Sequence, residues 1–368
     1  MLNELGMEYI VAERAEQLAG IVAQGKVAVF ADGAQLSESG GMDAVYEATG
    51  TILAGGEYAV QVLRSRKHLV LMNSEIDLIF GPYLNRLAKE NGVVCTSCGG
   101  DQYGALTPLI GDLKRWGFQL VMAGNMKGFL DRRANPTSIV PEADLRRLDY
   151  RACASYTDGT KLNIEMAIVA NAFGLQTKVS GMYGPKCSDI DNVHMVFDFA
   201  ALWQDREPFV DYTLGSSPGG GVFAIGYCDD PYQRQMLQYY KMGGGPFYTF
   251  YRPYHLCHIE SLDAAFDAVQ KQSTFLWPEY GFVTNVYAYA KQDLQMGDDL
   301  DGIGGYTCYG LIENCAEQAA SPGIPICLAD RVRLKRAIGK DEKILLSDVV
   351  FDADRPDFRM FVLAGGTL

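Results

Sequence analysis

The sequence predicts an α/β protein: a parallel sheet in the N-terminal third, an α+β middle and a small β domain near the C-terminus. Three observations carry this. Between residues 26 and 97, short apolar runs alternate with helix-length segments, the pattern of strands joined by crossover helices. Residues 178–250 are rich in glycine and aromatics, which suggests β-structure with wide turns. Finally, Ala290 to Leu300 and Leu334 to Ile344 share one pattern, in which Lys291 aligns with Lys335, Leu294 with Ile338 and Leu300 with Ile344. Two copies of a strand–turn–strand unit make a compact β fold. The expected division is 1–122, 123–280 and 281–352, with 353–368 as a tail of no clear pattern.

In order along the chain, Tyr9 to Gln24 reads as an amphipathic helix and Lys26 to Ala31 as a short strand. Met42 to Gly50 reads as a buried strand ending in a glycine turn. A helix from Leu53 to Ser65, the strand His68 to Asn73, a helix over 77–91 and the strand Val93 to Ser97 follow. This alternation is of Rossmann type. Its G-x-G-x-x-G fingerprint should join the first strand to the first helix, and nothing before Gly40 matches.

Composition narrows the class. The chain has 368 residues, enough for two or three domains, and a formal net charge of −13, which argues against a nucleic-acid partner. No apolar run reaches about 18 residues and the N-terminus lacks a basic, apolar leader, so neither membrane nor secretion is expected. Nine cysteines scattered from Cys95 to Cys327 suit cytosolic thiols rather than a disulfide framework. Cys95 and Cys98 have C-x-x-C spacing but end an apolar strand with no second ligand pair nearby, so they read as packing residues. The expectation is a cytoplasmic, acidic, multidomain protein.

The middle region carries the chemistry. After a strand and turn bearing Lys127, the segment Ala154 to Gly174 begins as a polar turn, with Asp158 and Gly159 as turn formers. It becomes a helix with apolar Leu162, Met166 and Val169 on one face. Lys161 falls in its first turn, where the helix dipole disfavours a cation, and Glu165 follows one turn later. The bland alternative is an exposed Lys–Glu pair. Two lysines near one cleft would suit an anionic substrate with a polarised carbonyl, and Asp158 would orient one of them or shuttle a proton. Gly215-Ser-Ser-Pro-Gly219 formally matches a nucleophile elbow, but Pro218 lacks the N–H that an oxyanion hole needs there. In Phe250 to Glu260, Arg252 offers a fork for an anion and His255 an acid–base or positioning group. Cys257, His258 and Glu260 follow; if on one strand, their alternating faces preclude a shared metal.

These motifs resemble those of NAD(P)H-dependent oxidoreductases related to homoserine dehydrogenase, in particular reductoisomerase-like enzymes and D-apionate oxidoisomerases that carry a C-terminal SAF domain. The matching segments are Asp158-Gly-Thr-Lys161 with Glu165, Gly100-Asp-Gln-Tyr-Gly104, and Tyr251-Arg-Pro-Tyr-His-Leu256. Glu47 to Gly50 and Met72 to Asp77 match too, with Glu75 where homoserine dehydrogenases have lysine. The resemblance implies NAD or NADP as cofactor, held by Ala48, Thr49, Gly50, Asn73 and Glu75. It implies Lys161, Lys127 and Asp158 as catalytic, and Asp101, Gln102, Glu165, Arg252 and His255 as substrate-binding. The implied reaction is hydride transfer to or from a small polyol, keto-sugar, sugar acid or sugar phosphate, or an oxidoisomerase version coupled to a skeletal rearrangement. No residue is assigned as a metal ligand, dependence on a divalent metal stays open, and a homodimer or higher homo-oligomer is expected. Relative to that family the first βαβ unit is missing, so the alternative expectation is a binding or scaffold protein without dinucleotide affinity.

Overall fold

A computed structural model describes residues 2–318 and 320–368. Its first five strands, β1 (Tyr9–Ala12), β2 (Val27–Phe30), β3 (Ala44–Glu47), β4 (His68–Leu71) and β5 (Cys95–Ser97), form two separate parallel sheets. β1 pairs with β2 around α1 (Gln17–Val22), and β3-β4-β5 form the other sheet. The helix expected over Tyr9 to Gln24 is therefore corrected. Tyr9-Ile-Val-Ala12 is β-branched and aromatic, prefers an extended chain, and pairs residue for residue with Val27–Phe30. Only its C-terminal part is helical.

α2 (Ala34–Glu38), α3 (Leu53–Arg64) and α4 (Ser74–Asn91) complete this part. α4 starts earlier than the expected residue 77, because the Asn73 side chain caps it by accepting from the Ile76 N–H. Gly56 lets α3 cross its neighbours closely: a Cβ there would lie 2.8 Å from Phe80 and 2.9 Å from Met360. Met360 lies on α13 (Pro356–Leu363), so the terminal segment, patternless in sequence, is a helix packed back on the N-terminal part.

α5 (Gln102–Arg115) leads into β6 (Gln119–Lys127), the centre of a four-stranded mixed sheet. Its neighbours are β7 (Phe209–Leu214), parallel, and β8 (Val222–Tyr227), antiparallel; β9 (Phe247–Arg252) forms the edge beside β8. α6 (Val140–Arg146), α7 (Tyr150–Thr157) and α8 (Thr160–Phe173) lie between β6 and β7. The turn expected from Ala154 is thus mostly the end of a helix, and the polar turn narrows to Asp158-Gly159. Two short helices, α9 (Val193–Val196) and α10 (Phe199–Leu202), help cover the sheet's other face with Val193, Phe197, Phe199 and Trp203. α11 (Pro231–Tyr239) joins β8 to β9. After β9 the chain forms α12 (Cys257–Phe266), so Cys257, His258 and Glu260 stand on a helix, not on the strand considered from the sequence.

α8 is the hub. Every residue of it except Lys161 and Phe173 is buried, because it packs against α4, α5, α7, β6 and β7 and against the C-terminal β domain. A helix apolar on most sides needs such surroundings. The β domain holds β10 (Thr284–Ala290), β11 (Asp299–Asp301), β12 (Cys308–Asn314), β13 (Asp330–Leu334) and β14 (Val349–Val350). Its two repeats meet about a local two-fold: Leu294 and Ile338, aligned in the sequence, exchange both backbone hydrogen bonds at 2.9 and 3.0 Å. One continuous core runs from Leu63 and Phe80 through Leu162 and Met166 to Val286, Ile312 and Phe358.

Candidate active site

A cleft of about 770 Å³ opens where the three parts of the molecule meet. One wall is the turn after β3, with Ala48, Gly50 and Thr51, and the start of α3. A second is the end of β4 and the start of α4, with Met72, Asn73 and Glu75. The third comprises Arg151, Ser155 and Tyr156 of α7, together with Lys161. The last is the β domain, with Asp301, Ile303, Asp330 and Arg331. The β-domain wall and α7 had no signal in the sequence, since both reach the cleft only through tertiary packing.

The turn after β3 is rigidly built. The Glu47 carboxylate accepts from the Thr49 N–H at 2.9 Å and from its hydroxyl at 2.5 Å, while Gly50 takes a left-handed φ of +67°. Asn73 donates to the Thr51 carbonyl at 3.1 Å, tying this turn to the next strand end. Helix α3 then begins with no side-chain cap and no acidic residue in its first turn, leaving its N–H groups and positive dipole end at the cleft.

Lys161 is not an exposed partner of Glu165. Its ammonium donates to the Ser74 hydroxyl and pairs with Glu75 at 3.4 Å, joining α8 to α4 across the cleft floor. Burial works against this charge, but Glu75, Glu165 and Asp101 outweigh it and hold the lysine above its ordinary range, fully protonated. Behind it Glu165 is 5% exposed, with Oε2 accepting no hydrogen bond. Burial is the main cause that pushes its pKa up to about 7; Asp101 and Glu75 reinforce the rise, and Lys127 and Lys161 oppose it. Lys127, at the end of β6, is half-buried. Asp101 stands at the start of α5 and accepts from the Tyr103 hydroxyl at 3.2 Å, and Gln102 is buried with Oε1 unpartnered.

Asn125 was missed. It is fully buried, and neither amide atom has a partner among the described residues. Two positions before Lys127 on β6, it faces the same side of the sheet, so the period-two rule could have flagged it.

Three expected site residues are engaged elsewhere. Asp158 is sealed under the β domain, with Lys291 at 2.8 Å and the Thr160 N–H at 2.7 Å on its carboxylate. Arg252 is hydrogen-bonded to Glu260, whose other oxygen accepts from the Leu256 N–H at 2.9 Å. His255 is held through Nδ1 to the Gly100 carbonyl at 3.2 Å. Ala48, Gly50, Asn73, Glu75 and Lys161 line the cleft together, while Glu165 lies behind Lys161, with Lys127 and Asp101 close enough to act on its charge. Among the described residues no three His, Cys, Asp or Glu side chains converge as a metal site needs, and no helix is long and apolar enough to cross a membrane.

No curated protein matches the chain. Among solved structures it resembles a biliverdin reductase from Synechocystis sp. PCC 6803 in complex with biliverdin and NADP+. Identity is 19%, over 34% of this chain and 40% of that one, with a TM-score of 0.24. It also resembles the WlbA dehydrogenase from Bordetella pertussis in complex with NADH and UDP-GlcNAcA, at 18% identity over 31% and 36% of the chains, with a TM-score of 0.24. An oxidoreductase from Bacillus cereus aligns over 74% and 84% at 11% identity, with a TM-score of 0.34. The chain spans well under half the length of the first two, and likenesses this slight decide no chemistry. Residues 100–261, which include Asp101, Lys127, Lys161, Glu165 and Arg252, match the family described as "Oxidoreductase DRL, catalytic domain". That match supports an enzyme with oxidoreductase activity.

Proposed function

We propose that the cleft binds a nicotinamide dinucleotide, NAD or NADP, and a small hydroxylated substrate: a polyol, keto-sugar, sugar acid or sugar phosphate. The observation that carries this is the convergence of Lys161, from the segment matching an oxidoreductase catalytic domain, on the strand-end turn at 48–51. The residues present fit one end of the cofactor. The Gly50 turn has nothing within 4 Å of where a Cβ would stand, and the uncapped start of α3 faces the same space. The turn between β1 and α1 does not fit a pyrophosphate, since Glu13-Arg14-Ala15-Glu16 carries two carboxylates and no glycine.

When bound, the nicotinamide ring supplies or accepts the hydride. The chain's part is to hold and polarise. Asn73 fixes the floor turn, and Glu75 and Ser74 fix the Lys161 ammonium, which stabilises charge developing on the substrate oxygen in a site partly closed to water. An oxidoisomerase version would use the same lysine on the carbonyl of a rearranging substrate.

The test is oxidation of NADH and of NADPH with a panel of keto-sugars, their phosphates and aldonic acids. Turnover with at least one member is expected, falling about a hundredfold or more in Lys161→Met, which corresponds to about 3 kcal/mol. Lys161→Arg, which keeps the pair with Glu75, controls for stability. No turnover with either nucleotide, or turnover of Lys161→Met within threefold of the parent, would overturn the reading. The acidic β1–α1 turn favours a second reading, a binding protein without dinucleotide affinity. A nucleotide fluorescence titration showing no saturation would select it.

A further inference from the structure

Hydride transfer between a C–H and a nicotinamide must move a proton as well, because the alcohol oxygen loses one when the carbonyl forms. The groups around Lys161 divide sharply in their capacity to take it. Lys161 is held protonated by the carboxylates around it. Asp158 is committed to Lys291 and the Thr160 N–H beneath the β domain. His255 spends Nδ1 on the Gly100 carbonyl. Glu75 is occupied by the Lys161 ammonium.

We propose that Glu165 is the proton-transfer residue of this site, a role that rests on the oxidoreductase reading above. It lies one helical turn below Lys161 on the same side of α8, with Oε2 buried and free of any hydrogen bond. A buried carboxylate oxygen without a partner is costly unless something arrives to use it. On the adjoining face of β6, Asn125 has both amide atoms equally unpartnered. A substrate hydroxyl entering from the Lys161 side of the cleft would give Oε2 the donor it lacks. In oxidation the substrate alcohol would release its O–H proton to Glu165 Oε2, giving a neutral carboxyl, while its C–H hydride would pass to a bound oxidised nicotinamide and the alcohol carbon would become a carbonyl. Reduction runs the same exchange backwards.

The charged and titratable groups facing Glu165 are Lys161 on its own helix, Glu75 of α4, Asp101 and Tyr103 of α5, Lys127 of β6 and Tyr156 of α7. β12 meets a different face of α8, where Thr160 accepts from the Gly310 N–H and Asn163 from the Ile312 N–H, both at 2.9 Å. Their balance, with burial dominant, sets Glu165 at about 7, so both protonation states are populated at neutral pH. Oxidation needs the ionised form and should rise with pH through about 7; reduction needs the acid and should fall through the same value.

The test is the pH profile of kcat in both directions, for the parent, Glu165→Gln and Glu165→Asp, using whichever panel member the parent turns over. Glu165→Gln should lose about a hundredfold or more in kcat, with KM within threefold, and should lose the limb near neutrality. Glu165→Asp should keep a displaced limb and part of the rate, and it carries the test if the glutamine variant fails to fold. A glutamine variant with kcat within threefold, or an unchanged limb, overturns the proposal while Lys161→Met can still uphold the oxidoreductase reading. A parent inactive with both nucleotides overturns both.

Discussion

Arg252 shows how a side chain suited to anion binding can be employed in building the fold. Its guanidinium is hydrogen-bonded to Glu260 on α12, and Glu260 also accepts from the Leu256 N–H, so this pair pins the start of α12 to the end of β9. The Tyr254 ring lies 5.1 Å from the guanidinium carbon and shields it further. A fork already bonded to a carboxylate would have to break that bond to grip a substrate. Arg252→Met should therefore cost about 1–2 kcal/mol of stability, in the range of a charge-assisted hydrogen bond at a half-exposed site. It should change KM for an anionic panel substrate less than threefold. A tenfold rise in KM with an unchanged melting temperature would return Arg252 to the substrate. The sequence offers residue type and neighbours, and both fit either role; what decides is Glu260, eight residues away and brought back by a helix where a strand was expected.

At the scale of elements, α8 was legible because its signals are local: a turn at Asp158-Gly159, apolar spacing, and a terminating Gly174 in the left-handed region. The segment Tyr9 to Gln24 was misread because its apolar spacing suits a helix, while its first four residues gain more from pairing with β2. The engagement of Asp158 under the β domain has no local signal for a related reason, since its partner lies 133 positions on. Lys291 is satisfied on three sides, by Asp158 at 2.8 Å and by the Ala134 and Gly305 carbonyls at 2.7 Å each. This buried ammonium fastens the N-terminal turn of α8 to the β domain. Lys291→Met should destabilise the protein by about 3–5 kcal/mol, because it strands a buried carboxylate. The double variant Asp158→Asn/Lys291→Met should lose less than the single one. Equal losses, compared by denaturant unfolding, would show that the pair is not coupled.

Across the whole molecule, the parallel β–α alternation, the mixed middle and the repeated β unit were all visible as patterns. The cleft was not, because its walls come from residues 48–75, 149–161, 301–331 and 355–357, and only packing on α8 brings them together. That packing buries carboxyls whose titration should govern stability near neutrality. Burial lifts Asp77 to about 7 despite the Ser97 hydroxyl bond, Glu165 to about 7, and Asp211 to about 6 despite three backbone N–H donors. In the unfolded chain each titrates near 4. The folded state thus binds more protons from about pH 4 to pH 7, and the stability it gains is full below the unfolded pKa and lost as pH rises through the folded one. Other groups act elsewhere or oppose. Asp205, Asp341 and Glu342 are held low by partners and matter only in acid. His68, pushed below its usual value by burial, loses stability on acidification below about 6.5 and so works in the opposite direction there. Above that range Asp158, raised by burial, acts with these carboxyls, and Cys98, lowered chiefly by its hydrogen bond with Cys257, acts against them. The melting temperature should fall from pH 6.5 to pH 8 in calorimetry at constant ionic strength. Asp77→Asn should flatten part of the slope, since an amide can still accept from Ser97 but cannot ionise. A melting temperature that rises or stays level over this interval would mean that these carboxyls ionise freely within the fold.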